Sequence, residues 1–288
     1  MSTTIVQKSP KKVTVSAALK RAFTPVRLAA AVMVLVFILV MILAPLIAPA
    51  DPLEQNIAMR FAPLGTPGYL LGADELGRDV LSRVIFGIRT ELLVALSATL
   101  VAMVIGTVLG LVAGYFGGII ETLSMRGVDV ILAFPPIIIA LLATTLYGPG
   151  PGTLIAVMGV LFIPAFARIV YGQTLSVGRA EFVEASEVFG ARVFVRLFRV
   201  ILPNVIAPVF VQFSLTMATA ILLESGLSYL GLGIVPPAPS LGTMVAEGQR
   251  YMSTEPAALL VPGTIVSLTI LGFSLLGDAL RDWLDPRR

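Results

Sequence analysis

Residues 28–48 read LAAAVMVLVFILVMILAPLIA, twenty-one consecutive positions without a charge. A bilayer core of about 30 Å needs about 20 apolar residues wound as a helix, so this run predicts a membrane span. Five further runs of comparable character follow, Leu92 to Tyr115, Val130 to Leu146, Thr153 to Tyr171, Val205 to Leu230 and Leu259 to Leu276. Backbone crossing hydrocarbon must satisfy its own hydrogen bonds, so each run is expected to be helical and the fold class is an all-α integral membrane protein. The third run is the shortest and contains Pro135-Pro136. The first ends in Ala48-Pro49-Ala50, which also suits a signal-peptidase site, but its apolar run exceeds the roughly 7–15 residues of a signal peptide and predicts a retained anchor.

Composition supports this reading. Of 288 residues, 57% are hydrophobic and 13% charged, with a mean hydropathy of +0.96. A soluble domain carries about 25% charge. Lys8, Lys11, Lys12 and Lys20 are all the lysines, and with Arg21 and Arg27 they precede the first span. The basic balance therefore points to membrane orientation and not to nucleic acid. With this tail inside, six spans also place Arg281, Arg287 and Arg288 inside, together with Arg126 and the segment carrying Arg179, Arg192, Arg196 and Arg199. Arg60, Arg78, Arg83 and Arg89 run against that orientation, but they fall in a long outer segment beside Asp74, Glu75, Asp79 and Glu91. The expected organisation is a cytoplasmic basic tail over 1–27, an anchor over 28–48, an extracytoplasmic segment over 49–91 and a core over 92–288.

The chain has no cysteine and no histidine, which removes disulfides, thiol nucleophiles, imidazole bases and the usual zinc ligands. All lysines lie in the tail and no G-x-x-x-x-G-K-[ST] occurs, so no phosphate-cradling loop for ATP is expected in this chain. An enzyme lacks the convergent groups it needs, and no cofactor is expected on the chain. A secondary transporter would show internal repeats or intramembrane carboxylate clusters, and neither is evident.

The loop between the fourth and fifth runs, 176–204, is the most specific segment. In Glu181-Phe182-Val183-Glu184-Ala185-Ser186-Glu187-Val188-Phe189-Gly190, apolar residues recur through Phe182, Ala185 and Phe189 as on an amphipathic helix. Gly190 suits its C-terminal cap. In 191–200, Val193, Leu197 and Val200 share one side with Arg192, Arg196 and Arg199 around the other, and Leu202-Pro203-Asn204 is expected to end that helix. The product is a helix-turn-helix with an apolar stripe and no core of its own, which calls for a partner or, alternatively, for lipid headgroups.

This segment resembles the coupling motif of ABC importer permeases, Glu-Ala-Ala, three residues, Gly, nine residues, Ile-x-Leu-Pro. It matches as Glu184-Ala185-Ser186, Gly190, then Val200-Ile201-Leu202-Pro203, with Ser186 and Val200 departing from the usual Ala and Ile. Residues 71–83 (LGADELGRDVLSR), Leu227 to Gly233 followed by Pro236-Pro237 and Ser240-Leu241-Gly242, and Gly277 to Arg287 narrow the resemblance to the peptide and nickel branch, C-subunit type. The resemblance implies a type I importer permease fold in a bacterial inner membrane with both termini cytoplasmic. It implies a second, B-type permease, two cytoplasmic ABC ATPase subunits that bind ATP and Mg, and an extracytoplasmic peptide-binding protein. It assigns ATPase coupling to Glu184, Ala185, Ser186, Gly190, Ala191, Leu202 and Pro203. The solute expected is a di- or oligopeptide, with nickel, glutathione or another small solute as alternatives.

Three further readings concern single residues. Glu224, near the outer end of the fifth run where water relieves the cost of its charge, is an outer-gate or structural residue, with hydrogen bonds from helix ends or pairing to an arginine such as Arg89 favoured over contact with solute. Arg168 is expected to snorkel to headgroups. Gly106, Gly110 and Gly114 form a small-xxx-small stripe that suits packing within the subunit or against a second one.

Overall fold

A computed structural model describes residues 25–284. The basic stretch from Lys8 to Arg21 and the terminal Arg287 and Arg288 lie outside the described residues. The first span is α1 (Pro25–Ile47). The second is α2 (Val80–Phe116), and the third consists of α3 (Gly118–Leu132) and α4 (Pro136–Tyr147). The fourth is α5 (Pro151–Leu161) continued by α6 (Ile163–Val177). After the short α7 (Glu181–Val188) come α8 (Val193–Tyr229), α9 (Leu241–Gln249) and α10 (Pro256–Leu284). Among the described residues, five helical stretches are long and apolar enough to cross a membrane, or six where the bent pair α3–α4 counts as one broken span.

All six expected runs are helical, with three differences in their bounds. The second begins at Val80 and not at Leu92, so a boundary at residue 91 falls inside a 37-residue helix. Asp79 caps that helix, its carboxylate accepting from the Ser82 N–H at 2.8 Å. The charges at Arg83 and Glu91, which mark a loop when read along the chain, are both buried by the fold. The third span is a pair bent by 82°. Pro135 and Pro136 cause the break, because each disfavours helix in the residue before it and neither donates a backbone N–H. Third, Leu202-Pro203-Asn204 does not end a helix. The chain stays helical from Val193 to Tyr229, with a π-helical stretch at Arg196–Ile201 that delivers Pro203 into the continuing helix.

α2 is the central element and packs on α6, α5, α8 and α1. The glycine stripe resolves in favour of packing within the subunit. A Cβ on Gly106 would stand 2.7 Å from the Ile163 carbonyl oxygen, and one on Gly110 2.5 Å from that of Ala167. One on Gly114 would stand 2.8 Å from the Thr174 Cβ. Only glycine lets the two backbones approach this closely, and the pairing runs parallel. The buried core contains Leu92, Leu111, Leu154, Met158, Phe166 and Ile221.

α1 packs on α2 and α10 and turns Leu28, Leu35, Leu39 and Ile42 outward, an apolar face suited to lipid. Arg27 at its start pairs with Asp282 near the end of α10, so the described chain begins and ends at one end of the bundle. That end also carries α7 and the start of α8, and is termed the hairpin end. Residues 48–79 and α9 form the opposite cap end.

Candidate functional site

At the hairpin end, Gly190 adopts φ +77°. The Gly190 N–H donates to the Glu187 carbonyl at 2.9 Å and the Ala191 N–H to the Ser186 carbonyl at 3.0 Å. These two bonds close α7 in a Schellman cap, which requires the left-handed conformation that glycine adopts at no steric cost. Ser186 Oγ donates back to the Val183 carbonyl at 2.7 Å. The hydroxyl is thus satisfied within its own helix, so serine in place of the usual alanine needs no outside partner.

Val183 is the buried residue of α7, and Leu197 and Ile201 carry the second helix into the bundle. The stripe read from the sequence points the other way. Phe182 is 48% exposed and Phe189 89% exposed, joined by Val188 and Phe194. Glu184 and Ala185 share this exposed side, Ala191 and Leu202 are half-buried, and Pro203 is exposed. The hairpin is therefore anchored by one set of apolar side chains and presents another, with acidic Glu181 and Glu184 in the first turn of α7. Arg196 Nη1 lies 2.7 Å from Glu187 Oε1, tying the two hairpin helices together.

At the cap end, the segment Gly231 to Ala258 contains α9, whose Leu241 is fully buried. A Cβ on Gly242 would stand 2.3 Å from the Ser225 carbonyl oxygen, so α9 lies directly against α8. Glu224 is 0% exposed and not at a wet boundary. It does not pair with Arg89. Its carboxylate accepts from Ser228 Oγ at 2.7 Å and from Ser240 Oγ at 3.5 Å. The neighbouring Ser225 hydroxyl donates to Glu91 of α2, which is equally buried. The two carboxyls thus join α8 to α2 and to the start of α9, while Arg89 is half-buried without an ion pair among the described residues.

Sequence reading missed an ionic cluster beside this junction. Arg78 Nε lies 2.6 Å from Asp74 Oδ2, and Arg83 Nη1 3.1 Å from the same oxygen. Arg83 Nη2 reaches Glu247 Oε2 of α9 at 3.2 Å, and Arg78 reaches it at 3.7 Å. Burial pushes the Glu247 carboxyl up to about 7, and Glu75 repels its charge further against the attraction of Arg78. The segment 74–83 stands out in the sequence for its resemblance, its mixed charges and the near-helical spacing of Leu76, Val80, Val84 and Gly87. Glu247, however, lies more than 160 residues away and no spacing announces it.

Arg168, expected to reach toward headgroups, has a side-chain partner within the bundle. It pairs with Asp129 of α3, and Tyr171 of α6 donates to Glu121 of the same helix. Among the described residues no group of three or more acidic side chains is placed to hold a metal ion.

Bundle, cap and hairpin together define the membrane subunit of an ABC importer. The fold matches a chain of the inward-facing MetNI methionine ABC transporter at a TM-score of 0.55, with 19% identity, covering 70% of this chain and 96% of that one. Residues 106–288 match the family described as binding-protein-dependent transport system inner membrane component. The dipeptide transport system permease protein DppC of Haemophilus influenzae is 37% identical over 261 residues, 89% of this chain and 88% of that one. The di/tripeptide transport system permease protein DppC of Pseudomonas aeruginosa is 36% identical over 84% of this chain and 82% of that one. The glutathione transport system permease protein GsiD of Pectobacterium atrosepticum is 37% identical over 76% and 73%. The chain belongs to the binding-protein-dependent transport system inner membrane component family. It is a multi-pass membrane permease subunit, and the secondary-transporter alternative falls away.

Proposed function

We propose that this chain forms half of the transmembrane path of an ATP-driven importer for short peptides and couples that path to separate ATPase subunits. The observation that carries the reading is the hairpin. Its Schellman cap at Gly190 fixes the turn, Val183 and Leu197 anchor it, and Phe182 and Phe189 remain uncovered. An apolar patch on a charged hairpin beyond the membrane-crossing helices is suited to a protein groove and poorly suited to water. Glu184, Ala185, Ser186, Gly190 and Ala191 form the docking turn, and Leu202 and Pro203 pass its displacement into α8.

The hairpin end is the cytoplasmic one, since Arg179, Arg192, Arg199 and Arg281 collect there and the lysine-rich tail precedes α1. ATP and Mg bind on the partner ATPases and not on this chain. A second permease of the B type completes the path, and an extracytoplasmic binding protein delivers solute at the cap end, where Glu224 and Glu91 hold α9 against the bundle. Relatives named for dipeptides and for glutathione both suggest a short peptide with free ends as the solute.

The test is affinity purification of the tagged chain from its own membranes in mild detergent. Two ATP-binding subunits and one further permease are expected to accompany it. Recovery of the chain alone under conditions that preserve other membrane complexes would refute the reading.

A further inference from the structure

The cleft between α3 and α6 is polar where a membrane protein's outer face should not be. Asp129 and Arg168 each leave 55% of the side chain exposed. On α3, Thr122, Arg126 and Asp129 recur at four- and three-residue spacing and all are exposed. On α6, Arg168, Gly172 and Ser176 recur every four residues and are exposed as well. The α3 stripe and Arg168 with Tyr171 of α6 border one cavity of about 280 Å³, whose lining also includes Glu121 and Met125. The adjoining face of α3 carries Ile119, Leu123 and Val130, and α1 turns only apolar side chains outward in its middle.

The cleft lies about two helical turns inside the bundle from its hairpin end. α2 and α6 run in parallel, and Ala167 and Val170, which flank Arg168, pack on Gly106 and Gly110. Gly110 precedes the end of α2 at Phe116 by six residues, or about 9 Å at 1.5 Å per residue. Charges at that depth are found facing a bundle interior or a water-filled cavity, because hydrocarbon cannot solvate them.

We propose that this cleft lines the cytoplasmic half of the solute path and transiently holds a zwitterionic solute by its two ends. Arg126 takes the carboxylate and Asp129, with Glu121, takes the ammonium. Arg126 forms no ion pair among the described residues and its guanidinium presents a planar fork to a carboxylate. Residues three apart on a helix hold their Cβ atoms about 5–6 Å apart. The ends of an extended dipeptide stand about 7 Å apart, so one face of α3 spans them. The Asp129–Arg168 pair supplies a second cation once solute displaces it. The inference rests on the peptide reading for its choice of solute, and on the cavity lining for the site.

The experiment uses the assembled importer in lipid nanodiscs without nucleotide or binding protein. Single cysteines enter this cysteine-free chain by Gly172→Cys, one helical turn from the cleft-lining Arg168 and next to the cleft-lining Tyr171, and, as a control, by Leu35→Cys on the apolar face of α1. A Cβ at Gly172 meets nothing within 4 Å, so the substitution is accommodated. A small charged methanethiosulfonate should modify the Gly172→Cys chain at least tenfold faster than the Leu35→Cys chain, read by mass on this subunit. Millimolar dialanine should slow that reaction severalfold, and N-acetyl-dialanine amide should not. Adding Arg126→Gln and Asp129→Asn should abolish the protection. Equally slow labelling of the two cysteines overturns the water-lined cleft, and fast labelling that dialanine leaves unchanged overturns the solute site. Protection that survives both charge removals overturns the assignment of its ends. Failure of the intact importer to accumulate dialanine would count against the peptide reading alone.

Discussion

Arg196 joins the hairpin to the centre of the bundle. Its Nη1 lies 2.7 Å from Glu187 Oε1, and its guanidinium carbon stands 5.5 Å from the centroid of the Tyr115 ring near the end of α2. Under the proposed coupling role, this contact links α7 both to α8 and sideways to α2. Arg196→Gln should leave the ATPases bound yet lower peptide moved per ATP hydrolysed about fivefold. Arg196→Lys should recover part of it, since an ammonium keeps the ion pair but stacks less well on the ring. An unchanged transport-to-hydrolysis ratio in Arg196→Gln would show that the contact carries no coupling.

Gly190 tests the docking turn. Its surroundings are open, so a new side chain there meets only the backbone strain of φ +77° and whatever docks against the turn. Gly148 is a fair control, with φ +85°, open space and a position at the opposite end. Strain at either site costs about 1 kcal/mol. Gly190→Arg should abolish ATPase co-purification while Gly148→Arg retains it at matched abundance, and equal co-purification would sink the docking assignment.

The glycine contact between α2 and α6 gives a stability prediction. Gly110→Ala forces a Cβ against the Ala167 carbonyl and should destabilise the chain by about 1–3 kcal/mol, seen as reduced abundance and lower Tm. Gly127→Ala, in open space on α3, should hold or gain stability. Comparable losses in both variants would mean that helix propensity and not close approach governs these positions.

These results separate what the sequence makes legible from what it hides. Spans follow from apolar length, and the hairpin follows from a local pattern around Gly190. The near-helical spacing over Glu75 to Glu91 suits a short separate helix at the outer interface; its continuity with the span stays hidden because Arg83 and Glu91 read as surface charges until the fold brings Asp74, Glu247 and Ser225 to them. Glu224 was placed near water for the same reason. Its partners Ser228 and Ser240 are hydroxyls, which carry no charge signal, and the arginine that did carry one lies apart. Pro203 marks a helix end in soluble sequences, but a π-helical turn absorbs it here.

Glu247 makes the cap end sensitive to pH. Its folded value of about 7 lies above the ordinary 4.5, so the folded chain binds this proton more tightly than the unfolded one. The group's contribution to stability is therefore full below about pH 4.5 and is lost as pH rises from there to about 7. Glu247→Gln removes that loss, so its Tm relative to the parent should rise by about 2–4 °C between pH 5 and pH 8. Parallel Tm profiles would place the Glu247 carboxyl in the ordinary carboxylate range.

The most direct measurement of the central claim is uptake of labelled dialanine into proteoliposomes holding the affinity-purified complex. Accumulation is expected only when ATP and the extracytoplasmic binding protein are both present on their proper sides, and it should disappear with Gly190→Arg. A complex that contains its ATPase subunits, hydrolyses ATP in response to its binding protein and accumulates no di- or tripeptide would contradict the account.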